Sequence, residues 1–379
     1  MPDARSPLKV MTIVGTRPEL VKMSLIIARL DESFRHVLVH TGQNFDYELN
    51  QIFFEDLGIR KPDHFLAAAG GTAAASIGRI IATVDEVLDA EQPEAVLIYG
   101  DTNSGLSVIA AKRRKIPVFH LEAGNRSFDQ RVPEELNRKV IDHLSDINMV
   151  LTEHARRYLL SEGLPGDRIF TIGSTMGEVI AHFRDRIENS AVLDRLELAA
   201  GRFILVSAHR EENVDVPERL DALLRTLTRL AAEFAIPVIV STHPRTRQRL
   251  TALGGADANA AVRWLPPFGF TDYARLQMGA YCVVSDSGTI TEEASLLDLP
   301  AVTIRDAHER PEGMDAGTLV MSSLDPDTVV AAIHLARRGP CGRRFSGAVP
   351  GYEGVDVSSK VVRIVASYID VVNRVVWRK

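Results

Sequence analysis

The sequence predicts an α/β protein of two domains, each built on a doubly wound parallel sheet, and three observations carry that expectation. Short β-branched runs alternate with longer amphipathic segments along almost the whole chain, as parallel strands flanked by helices require. The 379 residues suffice for two or three domains of ordinary size, and the strand candidates fall into two sets. Hydrophobic residues make up 45%, charged residues 25% and aromatics only 6%, the balance of a globular protein with aliphatic cores.

The first set of expected strands is Val10–Val14, His36–His40, Ala95–Tyr99, Val118–Leu121 and Met149–Leu151. The second is Phe203–Ser207, Val238–Ser241, Val262–Leu265, Cys282–Ser285 and Ala301–Ile304. Between the sets, Ile180–Leu198 is a charged helical stretch ending in Ala199-Ala200-Gly201, with no strong strand, and places a boundary near residue 190. The expected domains are therefore 1–190 and 191–356. From Val357 to Trp377 the apolar residues Val361, Ile364, Val365, Ile369, Val372 and Val376 recur at helical spacing, so this last helix must bury one face. The Ala/Gly stretch Ala67–Ala75 reads as a loop entering a helix, and no repeat of solenoid period is visible.

Composition also excludes functions. The formal charge of −6, from 44 basic and 50 acidic residues mixed along the chain, leaves no basic stripe for a nucleic-acid backbone. Two cysteines, Cys282 and Cys341, offer neither a disulfide framework nor a metal cluster and fit a reducing compartment, so no metal is expected. Met1 to Lys9 is polar, without the apolar core of a signal peptide, and no run is long enough to span a bilayer. The expected location is cytoplasmic, with no membrane partner.

In open parallel sheets ligands bind beyond the carboxyl ends of the strands, and that is where the unusual residues fall. After the first strand, Gly15-Thr16-Arg17-Pro18-Glu19 permits a turn, a cap and a helix start, with Arg17 and Lys22 near a helix amino end that already attracts anions. The plainer alternative is a capped helix with solvated cations. Successive loops bring Asp101, Glu122 and Glu134 to the same edge of the sheet. Each has a structural alternative: Asp101 as a helix cap, Glu122 as an ion-pair partner of Arg126, and Glu134 as a carboxylate favouring a helix start.

The second half carries different chemistry. Ser207-Ala208-His209-Arg210-Glu211-Glu212-Asn213 and Thr242-His243-Pro244-Arg245 each follow a strand. After the Cys282–Ser285 strand, the small residues of Asp286-Ser287-Gly288-Thr289 allow the backbone N–H groups of Ser287, Gly288 and Thr289 to face a diphosphate. His209 and Arg310 can add positive charge, although a single histidine after a strand is also commonly just packed. The combined reading is an anion site facing a carboxylate-rich site.

Seven segments in order, IVGTRPELVK, TGQN, YGDTNS, HLEAGNRSFDQRVPEELNRK, SAHREENVD, SDSGTITEEAS and HERPEGMDAGT, closely resemble the non-hydrolysing UDP-N-acetylglucosamine 2-epimerase family over nearly the entire chain. The resemblance implies two Rossmann-like domains with the active site in the cleft between them, as in GT-B glycosyltransferases. The C-terminal helix 357–379 would pack back on the first domain, and the protein would form a homodimer. It implies Asp101, Glu122 and Glu134 as catalytic carboxylates. It further implies Arg17, Lys22, His209, Ser287, Gly288, Thr289, Glu293 and Arg310 at UDP, with Glu293 at the ribose hydroxyls and Tyr273 near the uracil pocket. HREEN stands where HRREN is frequent, DSGTITEE for DSGGIQEE, EAGNR for EAGLR and TGQN for TGQH. With FDQRVPEE and the ending VNRVVW, these variants resemble the branch that makes UDP-N-acetyl-L-fucosamine from its talose epimer. The TGQN change falls where some members bind a second, activating substrate molecule.

Chemistry restricts how carbon 2 of such a sugar can be inverted. Its hydrogen lies beside no carbonyl of the ring, so a free carbanion is prohibitively uphill. Either a bound nicotinamide oxidises the sugar transiently, or UDP is eliminated across carbons 1 and 2 and re-added. No G-x-G-x-x-G follows a strand, which favours elimination without a cofactor. Elimination needs a base, a stabilised leaving diphosphate and an acid for the opposite face. The proton transfers are expected of Asp101, Glu122 and Glu134 as a set, with base and acid undivided. Rivals are a general UDP-N-acetylglucosamine/UDP-N-acetylmannosamine epimerase, a hydrolysing epimerase, a glycosyltransferase on the same fold, and a catalytically silent UDP-sugar-binding regulator.

Overall fold

Continuous aliphatic runs such as Val10-Met11 and Ala95-Val96-Leu97-Ile98 can only be central strands covered on both faces, and they are: each of these residues is fully buried. The computed structural model describes residues 8–42, 54, 56–252, 259–338 and 349–379, the side chains of 244, 245 and 252 excepted. The chain divides into two compact units, Met1–Ala181 with Gly351–Lys379, and His182–Pro350. Each is a parallel α/β unit of Rossmann type, as the sequence predicts.

The first unit holds β1 (Lys9–Val14), β2 (Arg35–His40), β3 (His64–Phe65), β4 (Ala95–Tyr99), β5 (Val118–Leu121), β6 (Ile147–Val150) and β7 (Ile169–Thr171), in the order β3-β2-β1-β4-β5-β6-β7. All pairings are parallel. The chain winds one way from β1 to β3 and the other way from β4 to β7, so the β1/β4 boundary is the switch point at which such sheets bind ligands. The last helix, Val357–Val372, buries Val357, Val361, Val365, Ile369 and Val372 and packs on the Arg17–Ser33 helix of the same unit. Ile364 and Val376, expected on that face, are half-buried.

The second unit repeats the plan with β8 (Ile204–Ser207), β9 (Val238–Ser241), β10 (Val262–Leu265), β11 (Cys282–Ser285), β12 (Ala301–Thr303) and β13 (Val320–Met321), in the order β10-β9-β8-β11-β12-β13. Its switch point lies between β8 and β11. Val206, Val240, Val284 and Val302 pack with Leu223, Leu227 and Leu230 of the Pro217–Phe234 helix to form its core. The expected ten strands are all present within a residue or two, and β3, β7 and β13 are additional. These three occupy sheet edges, run to only two or three residues, and leave no periodic signal to read.

Candidate active site

In the first unit the loops after β1, β4 and β5 meet at the switch point and are tied by side chains. Tyr99, the last residue of β4, donates its hydroxyl to Glu122 Oε2 at 2.7 Å, and the Lys22 ammonium pairs with the same oxygen. Lys22, expected among the UDP-binding cations, is thus a buried partner of a candidate catalytic carboxylate. The Arg126 alternative for Glu122 is not realised. Arg126 is spent on Asp142 at 2.7 Å and, through its Nε and Nη2, on Glu162 at 2.8 and 2.6 Å. Glu122 also holds a left-handed backbone, φ +61°. That conformation costs a non-glycine residue about 1–3 kcal/mol and is characteristic of functional loops. Two residues on, Gly124 has φ +81°, and a Cβ there would stand 2.6 Å from the carbonyl oxygen of Ala155.

Asp101 is partly exposed and accepts from Arg138, Nε at 2.7 Å and Nη2 at 2.6 Å. Arg138 is buried and shared with Glu135 at 3.2 Å. Asn137 reaches the Asp101 carbonyl oxygen at 2.9 Å, so the helix Pro133–Leu144 fixes the Asp101 loop twice. Behind that loop the buried His120 bridges Asp142, at 2.8 Å, and the carbonyl oxygen of Gly100, at 2.7 Å. Burial alone would raise the Asp142 carboxyl, but His120 and Arg126 together hold it below its ordinary value. Glu134, in the first turn of the same helix, is half-buried, and its side chain makes no hydrogen bond or ion pair among the described residues. Its neighbour Glu135 is the structural member, accepting from the N–H groups of Ser127 and Phe128. Arg17 is the half-buried first residue of its helix.

Sequence reasoning missed Glu19. Its buried carboxylate accepts from the N–H groups of Gly15 at 2.5 Å and Thr16 at 2.9 Å and from the Thr102 hydroxyl at 2.6 Å, so it staples the Arg17 loop to the Asp101 loop. Burial raises its pKa to about 7 against the lowering effect of these three donors, and the charge of Asp101 pushes the same way as burial. The pattern Thr16-x-x-Glu19 is a capping box, the signal by which Glu19 was legible.

In the second unit the organiser is Asp286, also missed. Fully buried at the end of β11, it accepts from the N–H groups of His209 and Arg210 and from the side chain of Asn213, each at about 3.0 Å, and it lies 3.2 Å from His209 Nδ1. One carboxylate thereby shapes the whole loop after β8 and leaves the His209 ring partly exposed. The Ser287 and Thr289 hydroxyls are bonded to each other at 2.9 Å. Gly288 is required by close approach, since a Cβ would meet Glu309 Oε1 at 2.4 Å. Arg310 pairs with buried Glu292 at 3.0 Å, and Glu293 accepts from Gln277 at 2.6 Å. Tyr273 is hydrogen-bonded to Ser207, and burial with the nearby Glu293 and Asp286 raises its pKa. Gln43 and Asn44 of TGQN, and Cys341, lie outside the described residues. Among those described, no helix is long and apolar enough to cross a membrane and no group of three His, Cys, Asp or Glu residues is placed to hold a metal ion.

Two Rossmann-like units, with carboxylates at one switch point and a small-residue turn before a helix at the other, describe the enzymes that act on nucleotide-linked sugars. Comparison narrows the class. A family model for UDP-N-acetylglucosamine 2-epimerase matches residues 28–366, and the chain belongs to that family. It is similar to the structure of UDP-N-acetylglucosamine 2-epimerase from Rickettsia bellii, with 55% identity, a TM-score of 0.91, and coverage of 98% of this chain and 100% of that one. It is similar to the Methanocaldococcus jannaschii UDP-GlcNAc 2-epimerase solved in complex with UDP-GlcNAc and UDP, at 31% identity and TM-score 0.89, covering 95% and 99%. The UDP-2,3-diacetamido-2,3-dideoxy-D-glucuronate 2-epimerase of Pseudomonas aeruginosa is 34% identical over 364 residues, 95% of this chain and 99% of that protein. The chain is an isomerase whose reaction is carbon-2 epimerisation of a UDP-linked amino sugar.

Proposed function

We propose that the enzyme epimerises without hydrolysis, by eliminating UDP and adding it back to a 2-acetamidoglycal. The observation that carries this reading is the carboxylate set of the first unit. Asp101 and Glu122 are each anchored by a cation, Arg138 and Lys22, while the side chain of Glu134, in the first turn of the Pro133–Leu144 helix, is left unengaged among the described residues. One carboxylate takes the proton from carbon 2 as the electron pair of that bond forms the carbon 1–carbon 2 double bond and the carbon 1–oxygen bond to UDP breaks. Return of UDP to carbon 1, with a proton delivered by a second carboxylate to the other face of carbon 2, completes the inversion. Base and acid are drawn from Asp101, Glu122 and Glu134. Arg17, His209, Arg310 and the amides of Ser287, Gly288 and Thr289 hold UDP through the cycle, with Glu293 at the ribose and Tyr273 near the uracil.

The substrate we propose is UDP-2-acetamido-2,6-dideoxy-L-talose, converted to UDP-N-acetyl-L-fucosamine. Its support is the joint occurrence of EAGNR, HREEN, DSGTITEE and FDQRVPEE. The name of the Rickettsia relative favours the alternative, UDP-N-acetylglucosamine. A site built to hydrogen-bond the 6-hydroxyl leaves polar groups unpaired against a 6-methyl, whereas an apolar pocket rejects an added hydroxyl only weakly. The test is kcat/KM on both compounds in one buffer, each with and without the other as a possible activator. Preference for the 6-deoxy sugar is expected, and clear preference for the glucosamine compound would assign the chain to the general epimerases.

A further inference from the structure

Arg305 follows β12 in the second unit and is only 2% exposed. Its Nη1 donates to Glu309 Oε2 at 2.8 Å, while Nε and Nη2 find no hydrogen-bond partner among the described residues. A buried donor left unpaired is costly, so a fold that keeps two on one guanidinium calls for a partner beyond the described residues. These two nitrogens form the side-on edge of the guanidinium, the edge that takes two oxygens at once. Elsewhere in this chain the same edge is filled by a carboxylate. Arg114 holds both oxygens of Asp85 with it, at 2.6 and 2.8 Å, and Arg126 holds both of Glu162.

The surroundings say which kind of oxygens Arg305 meets. It lines a small cavity with Ser287, Gly288, Thr291, Thr303 and His308, about 10 Å³ in volume, room for about one oxygen atom. The Ser287–Thr289 turn lies directly on the Arg305–Glu309 pair. A Cβ on Gly288 would stand 2.4 Å from Glu309 Oε1 and 3.7 Å from Arg305 Nη1. Glu309 thus holds the guanidinium from one side and leaves its bidentate edge unfilled beneath the residues assigned to a diphosphate.

We propose that the Nε–Nη2 edge of Arg305 seats an oxygen of the UDP diphosphate, making Arg305 a further ligand residue beneath the Ser287–Thr289 turn. The inference rests on the reading that UDP binds this unit. Arg305→Lys keeps the charge and can keep the Glu309 pair, yet loses the fork. Calorimetric titration of the full-length protein with UDP and with uridine is the test. The variant should bind UDP about 10- to 100-fold more weakly, the range of charge-assisted hydrogen bonds, with uridine affinity unchanged. A folded variant that keeps wild-type UDP affinity, or loses uridine and UDP equally, overturns the assignment. A crystal structure of wild type with UDP decides it independently of the variant's folding. A phosphoryl oxygen within hydrogen-bond distance of Nε and Nη2 is expected, and a water or a protein group on that edge instead refutes the proposal. Wild type that fails to bind UDP brings down the proposed function itself, whereas tight UDP binding that leaves Arg305 untouched brings down only this inference.

Discussion

Glu19 makes a stability prediction whose sign is fixed by its surroundings. Its pKa of about 7 in the fold against 4.5 when unperturbed means that the folded state favours the neutral carboxyl. The stabilising contribution is complete below about pH 4.5 and is lost as the pH rises through 7. The gap of 7 − 4.5 = 2.5 pH units corresponds to about 3 kcal/mol. Glu19→Gln removes the titration while keeping the shape. The amide oxygen can accept from Gly15 and Thr16, and the amide NH2 can donate to the Thr102 hydroxyl once that hydroxyl rotates. Urea denaturation at pH 5 and pH 8 measures the effect. Trp377 in a Trp264→Phe background reports on the first unit. Wild type should lose about 2–3 kcal/mol more than Glu19→Gln between the two pH values, since groups that do not interact with Glu19 cancel in the comparison. Parallel profiles, or a wild type that gains stability relative to the variant as pH rises, would refute the reasoning.

Two further outcomes follow from the site. Asp101→Asn, Glu122→Gln and Glu134→Gln should each lower the epimerisation rate by about 10²-fold or more while UDP binding by calorimetry is retained. A near-normal rate in any one of them returns that residue to a purely structural role. Gly288→Ala pushes a methyl group against Glu309, which Arg305 holds in place. UDP affinity should fall by about tenfold, about 1.4 kcal/mol, with the secondary structure unchanged by circular dichroism.

The central strands were legible because burial on both faces forces aliphatic runs, and the loops that follow them were legible because a strand end is where a parallel sheet presents its ligand groups. The strands β3, β7 and β13 were not, because an edge of two or three residues owes its place to the neighbouring strand rather than to its own side chains. At the site, Asp101, Glu122 and Glu134 stood out as carboxylates at strand ends or helix starts, but which cation serves which carboxylate is a matter of loop approach. Lys22 lies 100 residues from Glu122, and Arg138 lies 37 from Asp101. Asp286 was hidden for another reason: its carboxylate faces inward onto backbone N–H groups, and a sequence does not show which way an acidic residue in a loop turns. Glu19 left a signal, its capping box, but not the reach of its carboxylate to Thr102, 83 residues away.

The central claim is that carbon 2 loses its proton to the protein and regains one from it, with UDP as the leaving group. Incubation of the purified enzyme with UDP-2-acetamido-2,6-dideoxy-L-talose in heavy water, without added cofactor and followed by NMR, tests this most directly. The account predicts deuterium at carbon 2 of both epimers, with the cleaved UDP held on the enzyme and returned to the sugar. Inversion without solvent label, or turnover that requires an added nicotinamide, would contradict it.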